Sequence, residues 1–214
     1  NRKRHMRPAC AVLVLALLIA TCTPAAGIET LWSRKVNGEH IVDLTVNDDG
    51  SRIVIGTSMG GIYLYDGEGT ICWSAQHKGS MRVEIAPDTS LVIAGESESR
   101  EKDKGVLRAY DGDGALRWMK HTGWICGLGV SGDLARIGVG NRLGQIEVYD
   151  HEGFDEIWED NLLKRYSAVS SMAMSSDGKY LAYSLLEKTP AIYLLHVDTW
   201  ARRTIKSVFR EHGS

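Results

Sequence analysis

Four tryptophans recur at near-constant spacing. Trp32, Trp73, Trp118 and Trp158 are separated by 41, 45 and 40 residues. A second marker keeps step with them: Asp66, Asp111 and Asp150 each follow a Tyr, and lie seven, seven and eight residues before the next Trp. Self-similarity at such a period means that one supersecondary unit is repeated along the chain, and no such unit can bury its apolar face alone. The repeat therefore constrains the fold more than composition does.

Between the markers the chain alternates short apolar runs with turn residues. In the first unit the expected strands are residues 41–46, 52–56, 62–66 and 71–74, with Asn47-Asp48-Asp49-Gly50 and Gly67-Glu68-Gly69 as turns. The second unit runs through 82–86, 91–95, 106–111 and 115–120, the third through 125–130, 135–140, 145–150 and 155–159, and the fourth through 169–175, 180–184, 191–198 and 203–209. In the fourth, Ile205 stands where the others carry Trp, and Trp200 falls in the preceding turn. Middle strands such as Ile53-Val54-Ile55 and Leu91-Val92-Ile93 are apolar without alternation, as in strands covered on both faces. Four strands per 40–45 residues is the period of a propeller blade. The expected fold is all-β: a β-propeller of four-stranded antiparallel blades, about four repeats, with the tryptophans packing blade against blade. Residues 28–36 supply one outer strand too many for a closed four-blade ring, so a partial propeller with exposed edges is expected.

The order Asp-Gly turn, apolar strand, Gly-x-Ile-x-x-Tyr-Asp, x-Gly, Trp resembles the PQQ-like and WD40-like propeller repeats of secreted bacterial and archaeal proteins, over about residues 28–209. The spacing departs from the quinoprotein motif: Gly69, Gly114 and Gly153 follow their Asp by three residues rather than four. A quinone-dependent dehydrogenase, which the resemblance brings into view, pairs adjacent cysteines against its cofactor and holds calcium beside a catalytic Asp. No Cys-Cys occurs here. Asp48-Asp49-Gly50 and Asp111-Gly112-Asp113-Gly114 lack the downstream bidentate Glu of a calcium loop. There is no G-x-S-x-G, H-E-x-x-H or P-loop pattern, and no Cys/His zinc spacing. The expectation is a non-enzyme without cofactor or metal.

The N-terminus reads as an address. Residues 1–8 are basic, residues 9–20 are wholly apolar, and Thr21-Cys22-Thr23-Pro24-Ala25-Ala26 follows, with Met6 the expected start. That is the order of a secretory signal, and the apolar run falls short of the ~20 residues that span a bilayer. Domain limits are thus 1–27 for the signal or lipoprotein anchor and 28–214 for the repeat domain. Ile19-Ala20-Thr21-Cys22 resembles a lipobox with Thr in the small-residue slot, which makes Cys22 a possible lipidation site. Cleavage near Ala25 or Ala26 and an uncleaved anchor are the alternatives, and all three place the body outside the cytoplasm.

Charge narrows the partners. Arg2, Lys3, Arg4 and Arg7 are the only charged residues among 1–26, so a formal charge of −2 leaves −6 on the body. A mildly acidic body lacks the clustered cations that a polyphosphate backbone requires, so nucleic acid is not expected. The body keeps two cysteines, Cys72 and Cys126, which is no disulfide framework. On an outermost and an innermost strand two units apart, they are not expected to bond.

His40, His77 and His121 each fall between the last strand of one unit and the first of the next. They form the candidate ligand face, expected to converge toward the channel mouth. The long loop Glu96–Lys104, rich in charge, is expected on the same face. The functional expectation is an extracytoplasmic, non-enzymatic propeller that binds or scaffolds a protein or envelope component, touching the membrane only through its N-terminal segment. The alternative is a ligand-binding or quinoprotein-like enzymatic propeller with its site at the channel mouth.

Overall fold

The computed structural model describes residues 30–36, 39–99, 103–132, 135–150, 156–161, 167–186, 191–199 and 201–206. The signal reading of residues 1–27, Cys22 included, lies outside them. Among the described residues, sixteen strands form four antiparallel sheets in strict chain order. The first sheet holds β1 (Ile41–Val46), β2 (Arg52–Thr57), β3 (Gly61–Asp66) and β4 (Ile71–Gln76). The second holds β5 (Ser80–Ile85), β6 (Leu91–Ser99), β7 (Lys104–Asp111) and β8 (Leu116–Thr122). The third holds β9 (Ile125–Val130), β10 (Arg136–Asn141), β11 (Gln145–Asp150) and β12 (Glu156–Asn161). The fourth holds β13 (Val169–Met174), β14 (Tyr180–Leu185), β15 (Ala191–His196) and β16 (Ala201–Lys206). The sixteen strands expected within the four units are present, but the outer strand expected over residues 28–36 is not found among the described residues. Residues 30–36, around Trp32, carry no strand pairing.

Alternation decides which side chain faces which sheet. Val54, Ile62 and Leu64 of the first sheet meet Met81, Val83, Val92 and Tyr110 of the second. Ile93, Leu107 and Ala109 turn the other way, against Ile125, Leu128, Ile137 and Tyr149 of the third. Ile146 and Val148 then meet Val169, Leu181, Tyr183 and Leu195 of the fourth. Adjacent residues on one strand thus serve different interfaces, which is why the middle strands are apolar throughout. Burying each such aliphatic side chain is worth about 1.5–3 kcal/mol. No apolar cluster among the described residues joins the fourth sheet to the first. Leu44 and Val46 stay exposed on the first sheet, and Tyr180 and Ile192 on the fourth. This is the arrangement of a partial propeller.

The repeat markers have a common physical basis. Asp66 Oδ1 accepts from the N–H of Glu68 at 3.0 Å and of Thr70 at 2.8 Å. Asp111 does the same for Asp113 at 3.1 Å and Ala115 at 2.8 Å. The backbone N–H of Thr70 holds the Asp66 carboxyl below its ordinary range, against a smaller opposing effect of burial. Three residues after each Asp comes a glycine with positive φ, +79° at Gly69 and +87° at Gly114. The indole of Trp32 lies against Gly69, and that of Trp73 against Gly114. A Cβ on either glycine would approach the ring to 2.8 and 2.7 Å. Each indole N–H is bonded to the same turn: Trp32 Nε1 donates to Gly67 O at 2.9 Å, and Trp73 Nε1 to Gly112 O at 3.1 Å. Tyr65 and Tyr110, just before the two aspartates, pack against these rings at 6.1 and 5.5 Å. Trp118 packs against the apolar cluster between the second and third sheets, and the Trp158 side chain lies outside the described residues.

Candidate functional site

Strands β6 and β7 reach beyond their neighbours. The expected loop Glu96–Lys104 is therefore corrected: Glu96–Ser99 and Lys104 are strand, with Ser97 opposite Gly105 and Glu96 opposite Val106. The alternating Glu and Ser residues of this stretch continue the β6 pairing instead of leaving it. Val92, Ala94 and Glu96 share the face turned toward the first sheet, so a carboxylate enters a phase otherwise occupied by core residues. Glu96 is only 3% exposed. It is compensated by the backbone N–H groups of Lys78 at 2.9 Å and Gly79 at 3.1 Å, and by a short ion pair with Arg108. Burial alone would raise its pKa; those donors outweigh it and the net shift is downward.

Beyond this pair opens a groove of about 330 Å³, lined among others by His77, Lys78, Val106, Arg108, Met119 and His121. Cross-strand register explains the set: Val106 lies opposite His121, and Arg108 opposite Met119. His77 Nε2 shares a hydrogen bond with the Tyr110 hydroxyl at 2.6 Å. Burial, and then the Arg108 charge, pushes the His77 pKa down, so its ring is neutral near pH 7. Burial likewise raises the Tyr110 phenol.

Two of the three candidate histidines thus meet in one recess, His77 from the β4–β5 connection and His121 from within β8 itself, rather than from a loop. His40 is exposed before β1 and does not line the groove. Nor does the groove open at the axis. The axial recess is a separate cavity of about 160 Å³, to which all four innermost strands contribute, with Asp43, Arg82, Glu84, Cys126 and Ser170 among its walls. There burial, and then the Asp43 charge, raises the Glu84 carboxyl to about 7. Asp43 itself accepts from Val83 N at 3.1 Å. Cys72 lies on β4 and Cys126 on β9, and they are not disulfide-bonded to each other. No group of three His, Cys, Asp or Glu among the described residues could hold a metal ion.

Sequence reading missed Glu96, Arg108, Tyr110 and Glu84. The available signal was phase: Glu96 and Arg108 fall in the same alternation as Val92 and Tyr110, and a charged residue in a core phase calls for a partner.

No protein-family model matches the chain, and no curated protein matches it. Among solved structures it is similar to a chain of a crystal structure of the mitotic checkpoint complex, with a TM-score of 0.67 at 16% identity. The match covers 81% of this chain and 55% of the other, so this chain spans about half the length of its neighbour. At that identity the likeness shows the fold alone, a β-propeller.

Proposed function

We propose that this chain is an extracytoplasmic, non-enzymatic scaffold that binds a protein or envelope component, held at or released from the membrane through its N-terminal segment. The groove between the first and second sheets carries the reading. Its ionisable floor is held in place, with Glu96 tied to Arg108 Nη1 and two backbone N–H groups and His77 tied to Tyr110. What it offers outward is shape, an apolar wall from Val106 and Met119, and a mixed-charge rim. Such a surface suits recognition of another chain. A neighbour of the same fold taken from a protein complex supports that use, as do the signal-like residues 1–27.

Two readouts test it in cells expressing the full chain. A phosphatase reporter, active only outside the cytoplasm, is fused after residue 27. A photo-crosslinking amino acid replaces Gln76 at the groove rim. The reading expects reporter activity and one discrete crosslinked protein adduct. An inactive reporter contradicts the location, and absence of any adduct contradicts binding at this groove. Substituting Cys22→Ala separates the anchors: loss of membrane association marks a lipid, and unchanged fractionation marks cleavage or a peptide anchor.

A further inference from the structure

We infer that the groove between the first and second sheets seats the free C-terminal carboxylate of a partner polypeptide whose last side chain is apolar, with Arg108 as the carboxylate-binding residue. The inference rests on the scaffold reading and names the part of the partner that is recognised.

The guanidinium of Arg108 is the deepest cation in the groove, its side chain 13% exposed. Nη1 is held by Glu96; its remaining donors meet no partner among the described residues. A buried ion pair is a poor device for stability, because desolvating both charges offsets most of their attraction. It does fix the orientation of a planar fork, and a fork can hold a second carboxylate through the edge it leaves open. Glu96 is itself fixed by the N–H groups of Lys78 and Gly79, so the fork is positioned before any ligand arrives.

The surroundings select the ligand. Lys78 and His121, both exposed, add donors at the rim. Val106 and Met119 flank Arg108 on the neighbouring strand positions and give an apolar wall, on which the flexible thioether of Met119 adapts to the side chain it meets. Glu96 and Glu98 oppose a second negative charge, which disfavours a phosphate dianion and favours a single carboxylate. A cavity of about 330 Å³ is small for a ligand site, enough for a terminal residue rather than a long segment.

The test is calorimetric titration of the full chain with three probes: N-acetyl-Ser-Ala-Leu as the free acid, the same peptide as its C-terminal amide, and inorganic phosphate. The free acid is expected to bind at least about tenfold more tightly than the amide, and more tightly than phosphate. Arg108→Lys is expected to weaken the acid about tenfold, since the fork geometry is lost. Because that change disturbs a buried pair, two rim variants stand beside it: Lys78→Ala weakens the acid a few-fold, and Glu98→Gln tightens it a few-fold. Equal binding of acid and amide, binding of phosphate in preference to both, no heat with any probe at millimolar concentration, or indifference to both rim variants would each overturn the inference. If the inference fails while the Gln76 crosslink to a protein persists, the scaffold reading stands and only its carboxylate recognition is lost.

Discussion

Trp73 donates its indole N–H to the backbone carbonyl of Gly112 at 3.1 Å, thirty-nine residues along the chain and one sheet away. The same bond joins Trp32 to Gly67 at 2.9 Å. Trp73 belongs to the outer strand of the first sheet, and Trp32 takes up the same position relative to the first sheet that Trp73 takes relative to the second. An indole that closes a turn on the next sheet does two things together. It buries a large ring against Tyr and Gly, and it satisfies a donor that burial would otherwise strand.

Replacing that ring removes both contributions. Trp73→Ala is expected to destabilise the chain by about 2–4 kcal/mol, somewhat below the loss for a fully buried aromatic because the ring is half-buried. Gly114→Ala attacks the same contact from the other side, through a left-handed φ and a Cβ directed at the indole. Thermal or urea unfolding of both variants checks this. A pair of effects well short of additive in the double variant is the expected sign that they break one contact.

Acid and alkali are expected to weaken the fold for different reasons. The Glu84 carboxyl, ordinarily near 4.5, is raised to about 7 when folded. Its proton is therefore held more tightly in the folded chain. The stability it contributes is complete below about pH 4.5 and lost as pH rises through about 7. Glu84→Gln is expected to stabilise the chain at pH 8 by about 1–3 kcal/mol and to flatten the decline between pH 5 and 8. Denaturant melts across pH measure it, and an unchanged decline would place its origin elsewhere.

His77 runs the opposite way. Its folded pKa lies below the ordinary 6.5, so its contribution is complete above about pH 6.5 and is lost as pH falls through the folded value. His77→Asn is expected to reduce the loss of stability on the acid side while leaving the alkaline decline intact. The imidazole titration followed by NMR gives the folded pKa directly, and a value at or above 6.5 would contradict the burial described for this ring.

The two thiols of the body report on strand placement. Cys72 is exposed on β4, while Cys126 on β9 is half-buried with its Sγ 3.7 Å from Trp124 O. Alkylation of the native chain is expected to modify Cys72 before Cys126, and oxidation to yield no peptide linking the two. Recovery of that linked peptide would overturn the sheet assignment.

Much of the fold was legible because strand phase and turn chemistry are written in side chains. The Tyr-Asp-Gly-x-Gly and Trp markers report a capped turn and the ring that covers it. The carbonyl to which each ring bonds carries no signature, since Gly67 and Gly112 accept through backbone. The site was less legible. Placing His121 on a strand and Glu96 inside an interface requires the β6–β7 register, and charge-rich residues such as Glu96-Ser97-Glu98-Ser99 look like loop until their partner strand is known. His40, His77 and His121 share a position relative to the repeat, but a shared position does not fix direction. Only two of them open on the same recess.

Successive sheets stack through these tryptophans, and hydrogen exchange at the indole N–H of Trp73 reads that stacking at a single proton. In the 15N-labelled full chain, that proton is expected to exchange at least about a hundredfold more slowly than a free indole, because it is bonded to Gly112 and closed off by Tyr110. Slow exchange that becomes fast in Gly114→Ala would locate the bond at this turn. Exchange at the free-indole rate under native conditions would contradict the clasp and, with it, the packing of the first sheet on the second.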